Sequence, residues 1–171
     1  MSLTRRQRVR RVALLCCHFL RNLAFYKTGW DWKSIKRKDP FWVTVNGNFL
    51  DHCVLEFCKL FADKKGKHHW RKVVTDQGAF EAELLAELKM TAAELAAYVE
   101  TMKAYRDKFI AHLDLDEIMH IPYLNTGRKA VSYLYDHLRD HEDDDDFLPD
   151  AMQTATDFYE AMADETDGVY K

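Results

Sequence analysis

Glycine and proline are scarce in this chain, with six and three among 171 residues. Sandwiches and barrels need many turns, so this scarcity excludes an all-β chain and favours long helices. No apolar run approaches the roughly 18 residues that a bilayer-spanning helix requires. The four cysteines, Cys16, Cys17, Cys53 and Cys58, lie in apolar segments, and none forms a C-x-x-C pair. That spacing fits neither a zinc knuckle nor a disulfide framework, and the thiols are expected to be reduced core residues. The length fits one domain with a sizeable core, covering 1–171.

The net charge of −3 conceals a gradient. Residues 1–40 hold eleven Lys/Arg against two Asp, whereas 141–171 hold eleven Asp/Glu against one Lys. An anionic partner is plausible at the first end, and solvation or repulsion is expected at the second. The opening "MSLTRRQRVRRVALLCCHFL" has a short apolar part followed by Arg21 and Asn22, with no small-residue cleavage site. It does not read as a secretory signal, and the expected location is the cytoplasm, away from any membrane.

Hydrophobic periodicity predicts a first helix over about 4–26, with Val9, Val12, Ala13, Cys16, Leu20 and Leu23 on one side. The stretch "TGWDWKSIKRKD" breaks that pattern. Asp39 and Pro40 then supply an N-cap and a first-turn proline for a second, central helix over about 41–62, built on Phe49, Cys53, Val54, Phe57, Leu60 and Phe61. A basic linker (63–72) precedes a short helix at 76–88 with no readable packing partner. Thr91 and Glu94 form a capping box that opens a helix to about 113. Helices near 122–140 and 149–163 complete the chain, separated by "HEDDDD" (141–146), a solvated connector rather than a calcium loop. No internal repeat occurs. The expected fold is all-α, an antiparallel bundle of four or five long helices.

On the helix over 91–113, Leu95, Val99, Met102, Phe109 and Leu113 fall within roughly 80° of one another, and Arg106 falls among them. Tyr98, Tyr105 and His112 share a neighbouring edge, while Asp107 points to the polar side. An arginine cannot escape burial by losing its proton, so an anion or several acceptors must meet Arg106. An internal carboxylate such as Asp51 or Glu56 is one answer, and a bound phosphate is another. Arg106 and His112 are separated by about 9 Å along a straight helix and roughly 120° around it. One small phosphate does not easily bridge both. Either the helix bends, or a second copy contributes its own pair across a two-fold axis.

The stretch "RDKFIAH" (106–112) places a polar residue, Asp107, after the arginine and a histidine after four variable residues. This resembles the motif of the HEPN superfamily. The preceding "FWVTVNGNFLDHCVLEFCKLF" (41–61) is similar to the second helix of abortive-infection members, so the resemblance spans about 10–140, leaving the acidic linker and last helix outside it. It implies an all-α fold, a homodimer with a composite cleft, and metal-independent endoribonuclease activity in active members. In that chemistry His112 serves as base on an RNA 2′-hydroxyl or acid toward the departing 5′-oxygen, Arg106 holds the scissile phosphate, and Asp107 orients a neighbour or the histidine. The activity implied is that of a toxin or phage-defence component with an antitoxin such as a small nucleotidyltransferase. A non-catalytic module binding a nucleotide, RNA or protein is the alternative, and a helical interaction protein with a structural salt bridge is the third.

Further candidates follow from residue type. Arg5, Arg6 and Arg8 in "RRQRVRR" (5–11), with Lys64, Lys65, Lys67 and Arg71 in "KKGKHHWRK" (64–72), are possible RNA phosphate contacts, and Trp70 is a possible stacking platform. Solvated basic segments are the plain alternative. Tyr98 and Tyr105 either line the cleft or pack. His137 and His141 have a metal-chelating spacing without a third ligand, so no metal and no cofactor is expected.

Overall fold

The computed structural model describes residues 3–31, 33–111, 120–143 and 154–170. Among these residues six helices carry the fold: α1 (Arg5–Thr28), α2 (Pro40–Phe57), α3 (Gln77–Leu88), α4 (Ala92–Tyr105), α5 (Leu124–His137) and α6 (Ala155–Asp167). Wider π-helical turns extend α2 through Cys58–Ala62, α4 through Arg106–Ala111 and α5 through Leu138–Glu142. The chain is therefore the all-α helical bundle that its turn-poor composition predicts. A short antiparallel hairpin, β1 (Trp30–Asp31) with β2 (Ser34–Ile35), turns the chain between α1 and α2. No helix of the described residues is long and apolar enough to cross a membrane.

Helix α1 is the axis of the bundle. Its Val9, Val12, Ala13, Cys16, Cys17, Phe19, Leu20, Leu23 and Ala24 are buried, and it packs against α2, α5 and α6. Thr4 starts it with a capping box: the hydroxyl accepts from the Gln7 amide, and the Gln7 side chain accepts from the Thr4 amide. Helix α2 runs antiparallel beside it, with Phe25 against Phe49 and Phe19 against Phe57. Asp39 caps α2 by accepting from the Trp42 amide, with Pro40 in the first turn. Buried Asn46 fixes the connection, since its carboxamide accepts from Trp30 Nε1 and donates to the Tyr26 carbonyl. All four cysteines are free and buried, and burial pushes the Cys17 thiol up to about 11 and the Cys58 thiol up to about 12.

Helix α3 packs on α5. Phe80 meets Tyr133 and His137 there, and Trp70 covers its other side with ring centroids 4.8 Å apart. The linker is thus partly core: a short 3-10 turn (Trp70–Lys72) carries Trp70 inward. Helix α4 is more peripheral than its sequence pattern implies. Only Met102 and Tyr105 are buried within it, while Leu95 and Val99 are half-buried.

Gly127 marks the closest approach of α5 to the core. A Cβ there would lie 2.9 Å from Tyr98 Oη and 3.2 Å from Phe19 Cζ. The Tyr98 hydroxyl cannot retreat cheaply, because it accepts from the Gly127 amide and donates to the Tyr123 carbonyl. Gly127→Ala is therefore expected to destabilise the protein by about 1–3 kcal/mol, despite the better helix propensity of alanine. Urea unfolding checks this, and a variant as stable as wild type would contradict the packing.

Candidate functional site

The guanidinium that the sequence places in an apolar seam sits instead at the solvent edge, its side chain 19% exposed. Its Nη1 donates to Asp63 Oδ1 at 2.8 Å and its Nε donates to Asp107 Oδ1 at 2.8 Å. Both carboxylates are more exposed than the arginine, at 41% and 49%. Two anions hold one cation in a fixed plane, and Arg106 Nη2 makes no hydrogen bond among the described residues. The expected partners Asp51 and Glu56 do not fill this role. Asp51 hydrogen-bonds the Tyr105 hydroxyl, and buried Glu56 pairs with Lys59 at 3.1 Å.

The π turns explain how Asp63 reaches the site. After Phe57, α2 widens, and the Asp63 amide donates five residues back to the Cys58 carbonyl at 2.9 Å. This ends the helix with Asp63 at the side where α4 arrives. Arg106 begins the π turn of α4, so a straight-helix projection at 100° per residue no longer applies beyond Tyr105. Sequence periodicity had placed Asp63 in the linker and gave no sign of either widened turn. His112, the proposed proton carrier, lies outside the described residues.

The two candidate tyrosines are packing residues. Tyr98 spans from α4 to the start of α5 through its hydroxyl, with its ring edge-on to Phe57. Tyr105 is buried, 3% exposed, against Asp51. Burial pushes both phenols up from their ordinary value.

The basic segments converge in part. His68 lies near Arg11, Lys59 and Lys67, bringing the start of α1 and the linker to the end of α2. Cys58, at that same end, has Arg106, Asp63, Asp107 and Lys103 as charged neighbours. Lys64, Lys65, Lys67 and Arg6 are exposed, and Arg8 donates to the Leu3 carbonyl. Arg71 pairs with Glu81 at 2.8 Å and stacks over Trp70. Trp70 corrects the expectation of a stacking platform: it is 5% exposed, so its faces belong to His69, Phe80 and Arg71 rather than to a base. Arg5 is also committed internally. It bonds the carboxylate of Glu142, whose other hydrogen bonds come from the Thr75 amide at 2.6 Å and hydroxyl at 2.7 Å. Glu142 is 3% exposed, and this network ties the ends of α1 and α5 to the loop before α3.

His137 and His141 face each other at 4.8 Å between ring centroids. Among the described residues no group of three or more His, Cys, Asp or Glu could hold a metal ion. Among the described histidines His69 is the most deeply buried, 1% exposed. Its Nδ1 accepts from the Arg71 amide, so Nε2 carries the proton and donates to the Phe61 carbonyl at 3.1 Å.

Burial lowers the pKa of His68, His69 and His137 from their ordinary 6.5. Each binds fewer protons folded than unfolded, so their joint effect costs stability as pH falls through the ordinary histidine range. Asp51 and Asp136, raised by burial, act in the opposite sense at lower pH. The urea midpoint is expected to be lower at about pH 5.5 than at about pH 7.5, with a smaller difference in His69→Gln. Equal differences in the two proteins would show that His69 is not held neutral.

Compared with protein-family models, curated proteins and solved structures, the chain matches none.

Proposed function

We propose that this protein is a metal-independent endoribonuclease of HEPN type, working as a homodimer whose two Arg106-bearing helices meet. The observation that carries the reading is the state of Arg106. This guanidinium is held at the solvent edge with Nη2 free of partners among the described residues, which leaves one donor edge for an anion. A phosphate can meet that edge without disturbing the Asp63 and Asp107 bonds. The exposed Lys64, Lys65 and Lys67 adjoin Asp63 in sequence and supply further phosphate contacts.

In this reading Arg106 binds a non-bridging oxygen of the scissile phosphate and stabilises charge as it builds there. His112 removes the proton from the 2′-hydroxyl, whose oxygen attacks phosphorus. The histidine of the second copy, or the same one, returns a proton to the 5′-oxygen as the P–O bond breaks. The pair of carboxylates gives Asp107 its role: it holds Nε, and with it the plane of the guanidinium. A toxin or defence role restrained by a partner such as a small nucleotidyltransferase belongs to the same proposal.

The alternative is a binding module, favoured by one feature. Two carboxylates already balance Arg106, which weakens its net attraction for a phosphate. Cleavage of total RNA and tRNA in EDTA separates the two readings. Wild type is expected to cleave, while Arg106→Ala and His112→Ala, verified as folded dimers, lose at least about a hundredfold in rate. Cleavage that persists in both variants would assign the activity elsewhere, and RNA binding without cleavage would favour the module.

A further inference from the structure

A second region of the molecule gathers cations that no ion pair among the described residues answers, although Glu87 and Asp136 also reach its lining. A cavity of about 750 Å³ opens between the end of α1, the end of α3, α5 and the start of α6. Lys27, Arg128 and Lys129 line it, and among the described residues no carboxylate lies within ion-pair distance of any of the three. Among the described residues the ammonium of Lys27 bonds a neutral partner, the Asn125 side-chain carbonyl oxygen. Its ammonium is half-buried, and burial together with the neighbouring Arg128 lowers its pKa. Arg128 lies over the Tyr159 ring, its guanidinium carbon 3.7 Å from the centroid. The ring holds the guanidinium in place and leaves its N–H edges available for a bidentate contact.

The start of α5 adds to this. Tyr123 occupies the cap position without a side-chain cap bond. The amides of the first helical turn, Gly127 apart, have no acceptor among the described residues, and they lie where the helix dipole favours an anion. Hydroxyls of Thr126 and Ser132 also line the cavity. Three cations with uncommitted donors overcompensate a single carboxylate, but they match a phosphate monoester, which carries up to two charges and several acceptor oxygens.

The cavity is far larger than inorganic phosphate needs. From Asn125 to Asp136, α5 contributes a wall about 16 Å long. Along it the lining changes from cations to Ser132, Tyr133 and Asp136, with Leu88 and Glu87 contributed by α3. Asp136 accepts from the Ala155 amide and lies 3.7 Å from Arg139, so it does not quench the three cations. Its side of the cavity offers acceptors for hydroxyls and an apolar surface for a ring.

We infer that this cavity binds a phosphorylated small molecule of sugar-phosphate to nucleoside-monophosphate size, its phosphate among Lys27, Arg128 and Lys129 and its organic part toward Tyr133 and Leu88. The site is separate from Arg106 and does not rest on the nuclease reading.

Isothermal titration of the full chain at constant ionic strength tests it, with inorganic phosphate, ribose 5-phosphate and AMP as probes. At least one ester is expected to bind saturably, one per chain, and more tightly than inorganic phosphate. Arg128→Gln and the exposed-site variant Lys129→Gln are each expected to weaken it by about tenfold or more. Lys36→Gln, an equal charge change on the hairpin, is expected to leave it within about twofold. Lack of saturable binding up to about 10 mM of either ester would overturn the inference. So would binding that survives Arg128→Gln and Lys129→Gln, or an equal loss in Lys36→Gln. Inorganic phosphate binding as tightly as the esters would remove the organic part of the site, and a short RNA that binds there when neither ester does would assign the cavity to the polymer.

Discussion

The burial of α1 is the constraint around which the bundle is organised. Its apolar residues do not form the single stripe of a surface helix, since Cys16 and Cys17, then Phe19 and Leu20, then Leu23 and Ala24 are buried in succession. A helix with so wide an apolar surface must be covered from several directions. Helices α2, α5 and α6 provide that cover, and the remaining helices attach to those three. Charge enters at the ends of the axis. The basic first turn of α1 meets the buried carboxylate of Glu142, and Lys27 at the last turn reaches the cavity. The ion pair that ties α1 to α5 and the cation that lines the cavity thus lie at opposite ends of the same helix.

The peripheral position of α4 follows from the same constraint. With α1 already covered, α4 rests on the end of α2 and reaches α5 through Tyr98. Its Leu95 and Val99 pack on the core only in part, and both stay half-buried. The π turns bring the two helix ends together. Widening at Cys58–Ala62 presents Asp63, and widening at Arg106–Ala111 presents Arg106, so a two-carboxylate clamp is built from one turn of each helix.

Much of the fold was legible because its signals are local. Asp39 with Pro40 and Thr91 with Glu94 mark helix starts through hydrogen bonds three residues long, and the structure contains both. The periodicity of α1 identifies buried residues correctly, since each expected position is 1% exposed or less. The site was less legible because its determinants are distant in sequence. Nothing near Arg106 indicates that its partner is Asp63, 43 residues earlier. Trp70 looked available because lysines and histidines surround it, yet its partner Phe80 lies on α3, whose packing no pattern revealed. The cavity beside α5 was likewise invisible, because Lys27, Arg128 and Lys129 are ordinary surface residues until the fold brings them together.

In the proposed reaction Arg106 and His112 promote attack by an RNA 2′-hydroxyl without a metal. The most direct measurement uses an RNA oligonucleotide incubated with the purified protein in EDTA, beside the same strand with a single 2′-deoxy substitution at the mapped position. The account predicts 2′,3′-cyclic phosphate ends from the first strand and no cleavage at the substituted position in the second. Scission at the deoxy position, or products ending in 5′-phosphate, would require an external water nucleophile and would contradict it.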